Sequence, residues 1–245
     1  MTAYAVVEDM KGYFGWLRIN ATNQTIFQEA SLQEYLEQEA TRIRNEATVL
    51  QYTLPVTPDA PPSAVDLFLE LLNLERPAAN LLVTLSSPIP PESLSYARAI
   101  NNRAEFWWKL YCTNEMWLLF DTAEDPLPTD GLIAYADVLE RVPGLGIGAG
   151  PTPSQAQIDR IAQRFSIPVY TILRIRGLVL DSFTAEQTRI IAAPVLDWTV
   201  ATVLRSKGMQ NVPPLYNTTA IELEVRAMEY FKHLLWGRYD QRLVA

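Results

Sequence analysis

Apolar residues recur at helical spacing in four long stretches of the chain. In "SLQEYLEQEATRIRNEATVL" the positions Leu32, Tyr35, Leu36, Ala40 and Ile43 fall on one face. In "TPSQAQIDRIAQRF" they are Ile158, Ile161, Ala162 and Phe165. A third stretch, about Glu92 to Tyr111, carries Tyr96, Ile100, Ala104, Trp108 and Tyr111. A fourth, about Thr219 to Trp236, carries Ile221, Val225, Met228, Phe231 and Leu235. Steps of three and four residues predict amphipathic helices whose stripes face a core.

Two further apolar stretches, "LERPAANLLVTL" and "IAAPVLDWTVATVL", also read as helices. Each contains a proline, Pro77 or Pro194, which lacks an N–H and clashes with the turn before it, so a kink or break is expected there. "QYTLPVTPDAPP" is proline-rich and reads as extended chain. "YTILRIRGLVLDSF", Tyr170 to Phe183, alternates branched apolar residues and reads as a short strand. Helix starts are signalled by Ser31 with Glu34, and by Thr152 with Pro153 and Gln155, both fitting a capping box.

The elements occur twice in the same order. "AYAVVEDMKG" (Ala3 to Gly12) is echoed by "AYADVLERVPG" (Ala134 to Gly144), and the stretch around Pro77 by the stretch around Pro194. "RAEFWWK" (Arg103 to Lys109) is echoed by "RAMEYFK" (Arg226 to Lys232). Self-similarity in order points to a duplicated unit. The expected architecture is mainly α: a helical module over 1–120, a linker over 121–131 rich in acids and prolines, and a second helical module with a C-terminal tail over 132–245.

The charge is divided between these halves. Residues 1–131 hold 18 Asp/Glu against 8 Lys/Arg, and residues 132–245 hold 10 against 12. No basic cluster suggests sequence-specific binding to a phosphate backbone. An acidic surface can instead let a polyanion pass without sticking. No apolar run approaches the ~18 residues of a membrane span. The acidic, polar start "MTAYAVVEDMKGYFGW" lacks the pattern of a signal peptide, so synthesis in the cytoplasm is expected.

Candidate chemistry is thin. Gly144, Gly146 and Ala149 in "VPGLGIGAGPTP" fit a dinucleotide fingerprint. Such a loop needs a strand before it and a helix at once after it, and here a helical stretch precedes and a proline intervenes. The run reads as a bend, and no cofactor is expected. Cys112 and His233 are the only residues of their kinds. They offer no metal cluster and no accompanying nucleophile motif, so no catalytic or metal site is expected. The acid pairs Glu34/Glu37 and Glu222/Glu224 read as solvated helix faces. Consecutive aromatics carry more information. Phe106, Trp107 and Trp108 point in three directions around a helix, so one core face cannot take all three. Trp107, Trp108, Tyr230 and Phe231 are therefore candidates for packing or intersubunit contact. The tail "WGRYDQRLVA" has the composition of a docking segment, with Trp236, Arg238, Tyr239 and Arg242 as candidates.

The layout resembles the head–tail connector (adaptor) proteins of tailed bacteriophages. The resemblance lies in the opening Tyr-Ala-x-x-Glu-Asp element and the amphipathic helix "SLQEYLEQEATRIRNEA". It continues through the Leu-Pro-Val loop in "YTLPVTPDAPP", the Arg-x-x-Gly turn in "ATVLRSKGMQ" and the glycine-ended helix "RAMEYFKHLLWG". It implies a structural protein of the virion neck: a homo-oligomeric ring below the portal protein, joined to tail or neck proteins and lining the DNA channel. DNA would slide past without specific binding, and no membrane would be involved. The duplication departs from the family, whose members resemble single modules, and leaves the subunit number open. Two rival readings stand beside it: a helical interaction module with no virion role, and an enzyme with an unrecognised pocket.

Overall fold

A computed structural model describes residues 3–13, 29–52, 54, 62–84, 91–113, 127–143, 153–208 and 215–237. Among them are eight α-helices and no strand, so the fold is mainly α. The helices are α1 Val7–Tyr13, α2 Glu29–Val49, α3 Ala64–Thr84, α4 Pro91–Thr113, α5 Tyr135–Arg141, α6 Gln155–Ile175, α7 Ala185–Gly208 and α8 Leu215–Leu235. A short 3-10 turn, Leu180–Ser182, lies between α6 and α7. None of these helices is long and apolar enough to cross a membrane.

Local sequence explains several of the boundaries. The Ser63 hydroxyl accepts from Asp66 N and the Asp66 carboxylate accepts from Ser63 N, a reciprocal cap that starts α3. Thr184 and Gln187 do the same for α7. The cap of α6 is Ser154 with Gln157, two residues beyond the expected Thr152 and Gln155. Ser31 is not a cap, because α2 is already helical at Glu29. Helices α2 and α6 end alike. Tyr52 N donates to Ala47 O and Gln51 N to Thr48 O, while Leu178 N donates to Leu173 O and Gly177 N to Arg174 O. Each pair recovers carbonyls that the helix end would leave unbonded, and each needs one left-handed residue: Gln51 at φ 64° and Gly177 at φ 65°.

The strand expected over Tyr170 to Phe183 is not there. Helix α6 continues to Ile175, and its second half is buried all round from Arg164 to Leu173. A segment buried on every side has no polar face, so its periodicity fades and β-branched residues mimic a strand. The helix also runs through Pro168, as α3 runs through Pro77 and α7 through Pro194; the expected breaks do not occur. All three prolines are buried, and the burial of these segments outweighs the hydrogen bond each proline removes.

Helix α3, the second half of α6 and most of α7 form the buried centre, and α2, α4, α5 and α8 pack around them. One hydrophobic cluster takes residues from both halves, including Leu67, Trp107, Phe165, Trp198 and Phe231. Leu127, at the end of the expected linker, is buried in the same cluster. A second cluster, built around Met10, Leu32, Leu36, Leu74 and Ile100, belongs to the first half alone.

The sequence echoes differ in structural register. Arg103 and Arg226 keep a common role: each leaves a late helix to pair with an acid on the long helix before it, Glu75 or Asp197. Pro77 follows Glu75 closely, whereas Pro194 precedes Asp197. Tyr4 lies ahead of α1 and is buried, whereas Tyr135 is the first residue of α5.

Candidate interaction face and the buried charges beneath it

Four aromatic rings meet at the centre. Trp107 lies edge-on to Trp198, with centroids 5.2 Å apart, and Phe165 and Phe231 stand 5.7 and 5.6 Å from Trp198. Edge-to-face and tilted contacts of this kind suit the ring quadrupoles. The Arg103 guanidinium carbon sits 5.0, 5.4 and 5.7 Å from the centroids of Phe165, Trp107 and Trp198. A cation over aromatic faces in a dry interior gains more than it would in water.

Arg103 is also held by two carboxylates. It donates to Glu75 on α3 and to Glu224 on α8, and all three side chains are buried. Burial raises the pKa of Glu75 against the opposing pull of Arg103. Burial likewise pushes Glu224 up to about 7; Arg103 opposes the rise and the neighbouring Glu75 charge adds to it. Glu224 Oε1 is buried with no hydrogen-bond partner among the described residues. The sequence reading of Glu222/Glu224 as a solvated pair is therefore corrected for Glu224. Its side chain lies on the side of α8 that faces α4, where Arg103 balances it.

Further ion pairs, each with at least one buried member, link the helices, and those of Glu70 and Arg164 tie early helices to late ones. Glu70 on α3 takes Arg160 and Arg164 of α6, and Arg164 also reaches Asp9 of α1 at 2.8 Å. Arg76 joins α3 to α2 and α4 through Glu39, Glu46 and Glu105 at 3.3, 3.2 and 3.0 Å, and its guanidinium lies over Trp108. Arg226 meets Asp197 through two bonds of 2.6 and 2.7 Å. Each charge buried in this way requires its partner.

The proposed contact residues fall in different places. Trp107, Trp108 and Phe231 are 1%, 6% and 0% exposed, packed within this chain, and Tyr230 is half-buried. Trp236, at the end of α8, is 59% exposed. Arg238, Tyr239 and Arg242 lie outside the described residues, as do Gly144, Gly146 and Ala149 of the glycine run. His233 is half-buried on the last turn of α8. Burial pushes the Cys112 thiol up to about 11, with the Glu46 charge adding to the rise, so thiolate is scarce near neutral pH. Among the described residues, no group of His, Cys, Asp and Glu is placed to hold a metal ion.

The stripe expected to bury α8 is met only in part: Phe231 is in the core, Ile221, Met228 and Leu235 are half-buried, and Val225 faces outward. The buried face consists of Ala220, Leu223, Ala227, Phe231 and Leu234. The alanines allow α8 to pack closely along α7, the larger Val225 is left on the far side, and Ile221 and Met228 are half-buried, Met228 packing against the core. Val225 is 54% exposed. At 100° per residue, Ile221, Val225, Met228, Glu229, Lys232 and Trp236 form one continuous face. Between this face and α4 lies a cleft of about 450 Å³, walled by Ala99, Phe106, Ile221, Val225 and Met228. Arg98, Glu229 and Lys232 also line it, and so do Arg103 and Glu224. Sequence periodicity missed this face because it weighs side-chain size and ignores how closely two backbones approach.

A comparison of the chain with protein-family models, with curated proteins and with solved structures finds no match.

Proposed function

We propose that the chain is a structural assembly protein, and specifically a head-to-tail adaptor of a tailed bacteriophage virion. It works by joining other proteins rather than by catalysis. Copies form a ring in the neck below the portal protein, and tail or neck proteins attach to that ring. The acid-rich first half provides a channel surface that repels DNA phosphates, so DNA slides through without being bound. The segment beginning at Trp236 docks on a neighbouring ring.

The observation that carries this reading is the outward face of α8, with Val225 54% and Trp236 59% exposed on it. Large apolar side chains left on a solvent face suit a protein contact, and tryptophan is favoured at such contacts. The resemblance of the short motifs to phage adaptors supplies the specific station. Buried charge and aromatic packing inside the bundle support a rigid block suited to assembly.

Native mass spectrometry of the chain mixed with the portal ring encoded by the same phage tests the proposal. Several copies should add to one portal ring, and a chain truncated before Trp236 should no longer add. A full-length chain that never joins the portal ring would overturn the adaptor reading. Attachment unchanged by the truncation would overturn the docking role of the tail.

A further inference from the structure

Three helices of the first half have counterparts of the same build in the second. Helices α2 and α6 are both 21 residues long, and the carbonyls of Ala47 and Thr48 accept at the end of one as those of Leu173 and Arg174 do at the end of the other. Helices α1 and α5 are both seven residues long, and the third residue of each is an aspartate, Asp9 or Asp137. Helices α3 and α7 start from the same reciprocal cap, Ser63 with Asp66 and Thr184 with Gln187. These like halves meet through unlike faces. Helix α6 lies against α3 and α1, where Arg160 and Arg164 meet Glu70 and Arg164 reaches Asp9. The groove made by α1 and α3 is thus filled by a helix of the second half.

The matching groove, between α5 and α7, is a cleft of about 550 Å³. Helix α7 lines it with Ala192, Ala193 and Leu196, and the charged residues Asp137, Glu140 and Arg189 stand along it. The helix that matches α6 is α2, and its matching face is wet. In the register of the shared helix ends, Arg160, Ile161 and Arg164 of α6 correspond to Glu34, Tyr35 and Gln38 of α2. Ile161 and Arg164 are buried, whereas Glu34, Tyr35 and Gln38 are exposed. Glu34 accepts from Gln38 Nε2, but it meets no cation among the described residues, and Arg189 meets no acid among them. The inner contact sets cations of α6 on an acid of α3. The two outer faces invert that pairing together, with an acid on α2 and a cation on α7, so they remain complementary.

We propose that copies of this chain join head to tail, with α2 of one copy lying in the α5–α7 cleft of the next as α6 lies against α1 and α3. Glu34 pairs with Arg189 of the next copy, and the Tyr35 ring covers Ala193 and Leu196. Gln38 turns from Glu34 to donate to Asp137, in the place of the bond between Arg164 and Asp9. An aromatic anchor beside polar partners suits a contact between chains. The two faces are different, so each copy added leaves a free face at either end, and the series grows until its own curvature closes it. The contact needs only this chain; its closing as a ring below a portal rests on the adaptor reading.

Sedimentation of the full-length chain alone, over a concentration series, tests the contact, with circular dichroism to follow helix content. The wild type should associate. Glu34→Arg and Arg189→Glu should each raise the dissociation constant roughly tenfold or more by setting like charges together. An equal mixture of the two variants should associate again. The altered α2 of the first then meets the altered cleft of the second, and the other junction keeps its wild-type pair. A variant that had merely lost its fold would not be rescued in this way. A wild type that stays monomeric up to its solubility limit, association unmoved by either substitution, or a mixture that stays apart would overturn the inference. Portal attachment by a chain that never associates with itself sinks this inference alone, and self-association without portal attachment sinks the adaptor reading alone.

Discussion

Arg103 and Glu224 are 121 residues apart in the chain and form a buried ion pair between α4 and α8. The same guanidinium holds Glu75 of α3, so one cation serves two buried acids drawn from three helices. The arrangement is asymmetric in what it tolerates. Removing the shared cation strands two carboxylates, whereas neutralising one carboxylate strands nothing. Arg103→Met should therefore destabilise by about 3–5 kcal/mol, the usual result of breaking a buried pair from one side. Glu224→Gln keeps the shape and should stay within about 1 kcal/mol at pH 8. Urea unfolding of the two variants measures the difference, and equal losses would contradict the shared-cation account.

The same pair makes stability depend on pH. Glu224 has its pKa raised from 4.5 to about 7 in the fold, chiefly by burial. Between those values the folded chain binds more protons than the unfolded chain, so stability falls as pH rises. The contribution is fully present below about pH 4.5 and is lost as the pH rises through about 7. Glu75 and Glu39 are raised by burial in the same direction. The urea midpoint should be higher at pH 5.5 than at pH 8, and Glu224→Gln should flatten most of that slope. A wild-type midpoint that rises over this interval would show that other groups control it.

How much of this could be read from residue order depends on where each residue sits. The stripes of α2, α4 and the first half of α6 were legible because each helix has one wet face, apart from Tyr35, which was expected on the buried stripe of α2 and is 40% exposed. Leu32, Leu36, Ile100, Ala104, Ile158 and Phe165 are all buried as their spacing requires. The second half of α6 was not legible, since burial on all sides leaves no contrast between faces. Ile221 and Val225 were misplaced because Ala220 and Ala227 occupy the close crossing with α7. Glu224 read as solvated because its cation is Arg103, far away in sequence. Local pattern records which residues avoid water; it does not record which distant charge a buried acid will meet.

Two helix ends of the same geometry invite a matched pair of substitutions. The left-handed position is Gly177 after α6 and Gln51 after α2. A side chain in that conformation costs roughly 1–2 kcal/mol, which glycine avoids. Gln51→Gly should raise stability by about 0.5–1 kcal/mol, less than the full strain because glycine also gains freedom in the unfolded chain. Gly177→Ala should lower stability by about 1 kcal/mol, although a Cβ there would meet open space. Thermal melts of the two variants should therefore shift in opposite directions. A shift of the same sign in both would mean that contacts, and not backbone conformation, decide these turns.

Asn73 is the residue on which the start of the chain depends. Its Oδ1 accepts from the backbone N–H groups of Tyr4 and Ala5, both at 3.0 Å, and its Nδ2 donates to Leu36 O at 2.8 Å. One buried amide on α3 thus satisfies the segment before α1 and also a carbonyl of α2. No other side chain of similar size offers two acceptor bonds and a donor at these places. Asn73→Ala leaves all three backbone groups unsatisfied, and each buried orphan costs about 1–3 kcal/mol before relaxation. Because residues 3–6 precede α1 and belong to no helix, part of that cost should appear as local opening. Hydrogen exchange should then speed up at the Tyr4 and Ala5 amides by far more than at amides in the middle of α7. Asn73→Asp keeps the acceptors and sets a carboxylate oxygen against Leu36 O. It should hold those two amides protected at pH 7 while lowering global stability. Equal acceleration at α1 and α7 in the alanine variant would show that Asn73 supports the whole bundle and not the start of the chain.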